Sequence, residues 1–221
     1  MRPTFLSDNS NEPLNVLCLG AHCDDIEIGC GGALLELFRA RSSVNVYWQV
    51  YTSTPSRKEE AVQGAERICA GAQSLEIDIL DFRDGYLPYE GAAVKEAFEE
   101  TKRKFDPDLI FTHYRSDLHQ DHRKISELTG NTFRDHIIWE YEIPKWDGDL
   151  GSPNTFVALD KSVAEEKLSI LQSVYNSQND KKWFTDDFFS AILRIRGAEC
   201  NSPSGLAEGF YSRKNVVSFG T

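Results

Sequence analysis

Residues 16–32 read VLCLGAHCDDIEIGCGG, and this stretch decides the fold that the sequence predicts. Its first part, residues 16–21, is a short and nearly all-apolar run, as expected of a strand buried on both faces of a sheet. A polar, glycine-rich turn follows, and GALLELFRA then places apolar residues at helical spacing. The pattern predicts a buried strand that leads directly into a helix.

The same alternation continues along the chain. Strand-like runs VNVYWQVYT, LEIDILDF and DLIFTH are separated by two amphipathic helical patterns, KEEAVQGAERICAGA and AVKEAFEETKRKF. Strands separated by helices of this length require right-handed crossovers and a mostly parallel sheet. We therefore expect an α/β, Rossmann-like fold, with a mostly parallel sheet flanked by helices.

Beyond about residue 137 the pattern loosens, which predicts an elaborated C-terminal third. IIWEYEI and TFVALD resemble strands, while SVAEEKLSILQSVYN and WFTDDFFSAILRIRGAE resemble helices. Residues 1–14 are polar with two prolines, which predicts a flexible leader. No repeat, low-complexity tract or linker divides the rest, so residues 15–221 are expected to form a single domain.

The composition disfavours several classes of partner. The 24 Lys and Arg residues against 35 Asp and Glu residues give a net charge of −11, which disfavours nucleic acid and anionic membrane surfaces. No run approaches the roughly 20 apolar residues of a membrane-spanning helix, so no stable membrane insertion is expected. The five scattered cysteines lack a CxxC pair and form neither a disulfide framework nor a thiolate zinc site. The expected compartment is a reducing cytoplasm.

Two of the predicted strands are followed by residues that bind metals. His22, Asp24 and Asp25 follow the first strand, and HQDHR (residues 119–123) comes shortly after DLIFTH. In parallel sheets, ligands bind beyond the carboxyl ends of the strands. A catalytic zinc needs three imidazole or carboxylate ligands and one open position. His22, Asp25 and one histidine of the second loop meet that need and leave Asp24 as a candidate base.

Each of these features also has a plain structural interpretation. Asp24 and Asp25 can cap a helix, and Gly29, Gly31 and Gly32 do not fit a dinucleotide fingerprint, so close packing explains them better. Three more residues near the same edge are expected to contact the substrate: Arg57, Tyr114 and Arg115. For Arg57, a place in the charged first turn of a helix is an equally good explanation.

Four other residues are expected to have structural roles. Trp146 and Trp183 offer faces on which a sugar could stack, but each is expected to pack in the core. For His113 and His136, strand-end packing or surface positions are the favoured interpretation.

AHCDDIEIGCGG (residues 21–32) resembles the AHPDD-x₄-CGG signature of the PIG-L/LmbE-like N-deacetylases, and HQDHR resembles their HPDH element. The likeness covers about residues 15–135 well and the remainder loosely. That superfamily acts on GlcNAc-phosphatidylinositol, on mycothiol and bacillithiol precursors and on other amino sugars. The resemblance therefore implies a zinc-dependent N-deacetylase with a small amino-sugar substrate, Fe²⁺ or another divalent ion being the alternative to Zn²⁺.

Carried over by position, the resemblance also implies a role for each motif residue. Asp24 becomes the general base, His119 stabilises the oxyanion or protonates the leaving amine, and Asp121 orients an imidazole beside the metal. The implied metal ligands are His22, Asp25 and His122.

Cys23 is a departure from the family pattern, since proline usually stands there. We expect its thiol to point away from the metal and to pack as a small apolar group. Members of the superfamily often form oligomers, so a homo-oligomer is also implied, of a size that the sequence does not specify.

Two other functions remain open at this stage. The same Asp and His residues could serve a metallophosphoesterase, whose site usually holds two ions about 3.5–4 Å apart. A non-catalytic sugar- or nucleotide-binding module on a Rossmann-like sheet is the second alternative. Against that module, a carboxylate beside a metal-bound water has no use in a protein that only binds.

Overall fold

The computed structural model describes residues 13–216, so residues 1–12 of the predicted leader lie outside the described part of the chain. The strands are β1 (Leu14–Gly20), β2 (Val44–Thr52), β3 (Ser74–Phe82), β4 (Leu109–His113), β5 (Ile137–Tyr141), β6 (Thr155–Ala158) and β7 (Ala207–Ser212). The helices are α1 (Asp25–Ala40), α2 (Pro55–Ile68), α3 (Gly91–Lys104), α4 (Gln120–Thr132), α5 (Lys161–Val174) and α6 (Asp186–Cys200), with a short 3₁₀ helix at Asn176–Gln178.

The strands form one mixed sheet in the order β3-β2-β1-β4-β5-β7-β6. The five strands from β3 to β5 in that order pair in parallel, while β7 runs antiparallel to both β5 and β6. This confirms the predicted α/β fold with a mostly parallel sheet. The chain order reverses between β1 and β4, and such a reversal opens a crevice at the carboxyl ends of the two strands.

Helices cover both faces of the sheet, which explains why β1 is apolar throughout. Val16 and Cys18 face a core layer built with α1, α2, α5 and α6. Leu17 and Leu19, on the opposite face, pack in a second layer with α3 and α4. All four side chains are fully buried, as expected of a central strand covered on both sides.

Helix α1 is held in its middle by two side chains from the C-terminal third. Glu208 of β7 accepts hydrogen bonds from the backbone amides of Gly32 (2.8 Å) and Ala33 (2.7 Å). Lys167 of α5 donates to the carbonyl of Ile28 (2.6 Å) and to Glu208 (2.5 Å). A Cβ atom on Gly32 would meet Glu208, so glycine is required for this close approach.

None of the helices between residues 13 and 216 is long and apolar enough to cross a membrane.

Candidate metal centre

The predicted metal ligands lie at the crevice beyond β1 and β4. His22 is in the short loop after β1, Asp25 is the first residue of α1, and His122 is in the first turn of α4. All three side chains are buried. Because the loop after β1 and the first turn of α4 both lie at this crevice, His22 and His122 come together although they are 100 positions apart in the sequence.

Donor atoms of these three residues lie close together in pairs. Nδ1 of His22 lies 3.1 Å from Nε2 of His122 and 3.3 Å from Oδ2 of Asp25. Nε2 of His122 lies 3.4 Å from Oδ1 of Asp25. Tetrahedral zinc with bonds of about 2.0–2.2 Å places its ligand atoms about 3.3–3.6 Å apart. The two imidazoles contact different oxygens of Asp25, and the role of this trio, His22, Asp25 and His122, as ligands of one ion stays a prediction.

Four further side chains offer donor atoms to the same crevice: His113, His119, Asp84 and Asp121. Among the described residues, the groups of three whose ligand atoms lie within 4.8 Å of one another are His22, His119 and His122; Asp25, His113 and His122; and His22, Asp84 and Asp121. The crevice is therefore dense in imidazole and carboxylate groups, the donors that suit zinc and iron.

Asp117 orients the imidazole of His122. Its Oδ2 lies 2.9 Å from Nδ1 of His122, and its Oδ1 accepts a hydrogen bond from the backbone amide of His119 (2.7 Å) and lies 3.0 Å from Nζ of Lys145. Burial acts to raise the pKa of Asp117, but the bond with His122 and the nearby cations lower it well below its usual range. A buried carboxylate thus directs Nε2 of His122 towards the crevice, an arrangement common behind metal-binding histidines.

Asp121 anchors the loop that follows β3. Its carboxylate is fully buried and accepts hydrogen bonds from the backbone amides of Gly85 (2.7 Å) and Leu87 (3.2 Å). Gly85 has a φ of +79°, a conformation that favours glycine. The loop carries Asp84 to the site, where its Oδ1 lies 3.1 Å from Nε2 of His22; Oδ2 of Asp121 lies 3.5 Å from the same nitrogen.

The carboxylates around His22 stabilise positive charge. Burial alone would lower the pKa of His22, but Asp25, Asp121 and Asp84 together raise it well above its usual value. The pKa of Asp84 is lowered to about 2, chiefly by its hydrogen bond with His22. The same carboxylates that favour the protonated form of His22 would also favour a divalent cation bound to its neutral imidazole. The electrostatics of the crevice are therefore those of a cation site.

Asp24 pairs with Arg57 instead of capping a helix. It occupies the N-cap position of α1, but its side chain makes no capping hydrogen bond. Its Oδ1 accepts a hydrogen bond from Nη2 of Arg57 at 2.7 Å. The Nε atom of Arg57 is buried and has no partner among the described residues. The plain N-cap interpretation of Asp24 is thus wrong for its side chain, and the predicted base and a predicted substrate contact lie together.

His119 is fixed in one tautomer by the backbone. It is the N-cap residue of α4, and its Nδ1 accepts a hydrogen bond from the amide of Asp121 at 3.3 Å. Burial and the two neighbouring imidazoles, His122 and His22, lower its pKa. The neutral ring therefore carries its proton on Nε2 and can act as a hydrogen-bond donor.

His113 is a member of the cluster to which the sequence assigned no chemistry. It ends β4, is fully buried, and stacks on His122 with 4.0 Å between ring centroids. Its Nε2 accepts a hydrogen bond from the amide of Ala21 (2.9 Å) and lies 3.1 Å from Oδ2 of Asp25. Burial, followed by His122, lowers its pKa to about 4, so the ring is neutral at physiological pH. The expected strand-end packing is confirmed, and it includes contact with the trio.

Other predicted residues lie at the margins of the crevice. The ring of Tyr114 stacks on Tyr211 with 3.8 Å between centroids, and the side chain of Arg115 is exposed. Their contact with substrate stays a prediction. Trp146 is 75% exposed, so the expectation that it packs in the core is wrong. Trp183 does pack against the core, as expected.

The thiol of Cys23 is buried in the core, as predicted. Its Sγ contacts the carbonyl oxygen of Thr52 at 3.5 Å, and burial raises its pKa to about 12. Cysteine at this position is therefore compatible with the trio and does not compete as a ligand.

A Rossmann-like sheet with buried imidazoles and carboxylates at its switch point is typical of a metalloenzyme. The family model described as PIG-L, GlcNAc-PI de-N-acetylase, matches residues 17–133, more than half of the chain. The chain belongs to this deacetylase family, which confirms the resemblance seen in its motifs. The uncharacterized deacetylase YaiS of Escherichia coli K12 is 28% identical over 133 residues, covering 56% of this chain and 70% of the relative.

Solved structures share the fold at lower identity. The N,N′-diacetylchitobiose deacetylase of Pyrococcus horikoshii superposes with a TM-score of 0.68 and 21% identity, over 90% of this chain and 83% of that one. GalB, the 4-carboxy-2-hydroxymuconate hydratase of Pseudomonas putida KT2440, gives a TM-score of 0.75 and 17% identity, over 94% and 99%. A hydratase and a deacetylase thus share this fold, so the reaction must be argued from the site.

Proposed function

We propose that this protein is a metal-dependent amidohydrolase that removes an N-acetyl group from an amino sugar, free or carried on a nucleotide or glycoconjugate. The observation that carries the proposal is the buried trio of His22, Asp25 and His122, with donor atoms 3.1–3.4 Å apart. Membership of a deacetylase family supports the same reaction. The deacetylase names of YaiS and of the chitobiose enzyme agree with it.

In this proposal the motif residues and their hydrogen-bond partners have separate tasks. A divalent ion held by the trio would polarise the amide carbonyl and lower the pKa of a water molecule towards about 7. Asp24, held in place by Arg57, takes the proton of that water as it attacks. The Nε2–H of His119 would donate a hydrogen bond to the oxyanion, an interaction commonly worth about 3 kcal/mol, and the proton that Asp24 took from the water would pass to the leaving nitrogen. Asp117 and Asp121 keep the imidazoles in orientation.

The experiment measures metal content and acetate release on the same preparation. Purified protein is reconstituted with Zn²⁺ or Fe²⁺, dialysed, assayed for bound metal, and incubated with N-acetylglucosamine, a nucleotide-linked N-acetylglucosamine and alkyl N-acetylglucosaminides. We expect about one ion per chain and release of acetate from at least one substrate. His122→Ala should lose both metal and activity, whereas the matched control His136→Ala, remote from the trio, should keep them.

Two outcomes would contradict the proposal. Two ions per chain together with phosphate release from a phosphomonoester panel would indicate a metallophosphoesterase. Tight sugar binding with no turnover in any reconstituted form would indicate a binding module. The homo-oligomer and the cytoplasmic compartment stay predictions, to be checked by light scattering and by fractionation.

A further inference from the structure

Exposed apolar side chains are concentrated on one side of the molecule. Of the eight large hydrophobic residues exposed among residues 13–216, five follow the carboxyl ends of β3, β4 and β5, the edge that holds the metal centre. We call these five the apolar rim: Tyr86, Tyr89, Leu118, Trp146 and Leu150. Trp146 is 75% exposed, Leu118 58% and Leu150 43%. Surface apolar residues gathered at one place, unlike scattered ones, mark a binding site.

The loop that carries Trp146 is attached to the metal centre by direct hydrogen bonds. Nζ of Lys145 lies 3.0 Å from Oδ1 of Asp117, the carboxylate that orients His122, and 2.6 Å from Oδ2 of Asp149. The same oxygen of Asp149 accepts a hydrogen bond from the backbone amide of Leu118 at 2.7 Å. The loop 144–151 and the loop that leads into α4 therefore lie against each other.

The opposite side of the rim is held in the same way. Tyr86 stands between Gly85 and Leu87, whose backbone amides donate to the buried carboxylate of Asp121. The ring of Tyr86 is covered by the guanidinium of Arg83, 3.5 Å from its centroid. Apolar groups thus stand on three loops that hydrogen bonds and an ion pair connect to residues around the crevice.

Two cations beside the metal centre are already paired with carboxylates. Arg57 pairs with Asp24 (2.7 Å) and Lys145 with Asp149 (2.6 Å). The exposed side chain of Arg115 has no ion pair among the described residues, so the net charge of −11 is the feature that disfavours an anionic ligand here.

We propose that the apolar rim, with Trp146 as its main contact, binds an apolar group attached to the amino sugar, of alkyl or aryl character. The proposal rests on the deacetylase function and names the other half of its substrate. The exposed indole of Trp146, which lies edge-on to the ring of Trp183 with 6.3 Å between centroids, offers area for burying such a group. Leu118 and Leu150 add apolar area without side-chain hydrogen bonds, whereas the aromatic residues of the rim could also stack on a sugar, which the test below distinguishes.

The test compares one sugar with and without an apolar group. Acetate release is measured from N-acetylglucosamine and from hexyl N-acetyl-β-glucosaminide, at concentrations far below micelle formation. We expect kcat/KM to be at least tenfold higher for the hexyl substrate, mainly through KM. In Trp146→Ala the ratio of the two kcat/KM values should fall towards 1, while the matched control Ile195→Ala, an exposed apolar residue on α6, should keep the wild-type ratio.

Three results would overturn the proposal: equal kcat/KM for the two substrates in the wild type, a ratio unaffected by Trp146→Ala, or a larger gain from a second sugar unit than from hexyl. A separate measurement keeps the rim testable if no substrate is deacetylated. Hexyl β-glucoside, which has no amide, is titrated calorimetrically into wild type and Trp146→Ala. Binding that the substitution weakens at least fivefold would support the rim even if the deacetylase proposal failed, and absence of wild-type binding would refute the rim.

Discussion

Oδ2 of Asp117 lies 2.9 Å from Nδ1 of His122, and both side chains are buried. This carboxylate fixes which nitrogen of the imidazole faces the crevice, so removing its charge should loosen the metal site. We expect Asp117→Asn to weaken Zn²⁺ binding about 10–100-fold, as measured by competition with a coloured chelator. Asp135→Asn, at an exposed position, is the control. Unchanged zinc affinity in Asp117→Asn would show that the contact has no effect on the metal.

Substitutions of the adjacent residues Asp24 and Asp25 should have different effects on activity and on metal content. Asp24→Asn removes the proposed base but no proposed ligand, so kcat should fall about 10²–10⁴-fold with metal content near the wild-type value. Asp25→Asn removes a ligand and should lose metal as well. Metal analysis and acetate release on both variants check this. A fully active Asp24→Asn protein would refute the assignment of the base.

Gly29 should not tolerate a side chain. A Cβ atom there would overlap the ring of Tyr141, which is fully buried and 4.8 Å, centroid to centroid, from the ring of His113. We expect Gly29→Ala to lower the free energy of unfolding by about 1–3 kcal/mol, measured by urea denaturation. Gly91→Ala is the matched control, because nothing lies within 4 Å of its new Cβ. The free energy of unfolding of Gly91→Ala should differ from the wild-type value by no more than about 0.5 kcal/mol.

The thiol of Cys23 should be chemically inert in the folded protein. It is fully buried and its pKa is raised to about 12, so almost no thiolate exists between pH 7 and 9. Cys200, the one cysteine of the five that is partly exposed, serves as an internal control. Iodoacetamide labelling followed by peptide mass spectrometry should modify Cys200 first and Cys23 only after unfolding. Early modification of Cys23 would contradict its buried position.

His113 should make the metal-free protein sensitive to acid. Its pKa is lowered to about 4 in the folded state, against about 6.5 when unfolded, so between these values the unfolded chain binds a proton that the folded chain does not. The contribution of His113 to the free energy of unfolding is therefore complete above pH 6.5. It falls by on the order of 3 kcal/mol as the pH is lowered to about 4. Urea denaturation at both pH values should show a smaller loss in His113→Gln than in the wild type. Equal losses would contradict the shift.

Most of the elements could be predicted because their patterns are long and periodic. VNVYWQVYT coincides with β2 (Val44–Thr52), and the helical and strand patterns around it correspond to observed elements. Helix α4 and strand β7 were not predicted. The first turn of α4 is the polar sequence QDHR, of which Asp121 and His122 lie at the crevice. Strand β7, with the sequence AEGFYS, pairs with β5 on one side and β6 on the other. Both depend on tertiary context, which local periodicity does not contain.

The site was predictable only where its residues lie in motifs. The structure brings His22, Asp25 and His122 together as the motifs imply, and their role as ligands stays a prediction. The sequence does not predict a role for Asp84 or Lys145, because no motif contains them. Their contacts with the site depend on how the loops after β3 and β5 fold. Asp117 precedes His122 by five residues, a local signal that could have identified it.

The hydrogen bonds from Gly32 and Ala33 to Glu208 join the first helix to the last strand. During synthesis on the ribosome, residues 17–133 emerge long before residue 208. Helix α1 therefore cannot form its hydrogen bonds with Glu208 until β7 has been synthesised. We expect a nascent chain stalled before β7 to lack the native conformation of the loop between β1 and α1. Such a chain should bind zinc poorly, although it already contains every proposed ligand. In this protein the metal centre should mature only after translation is nearly complete.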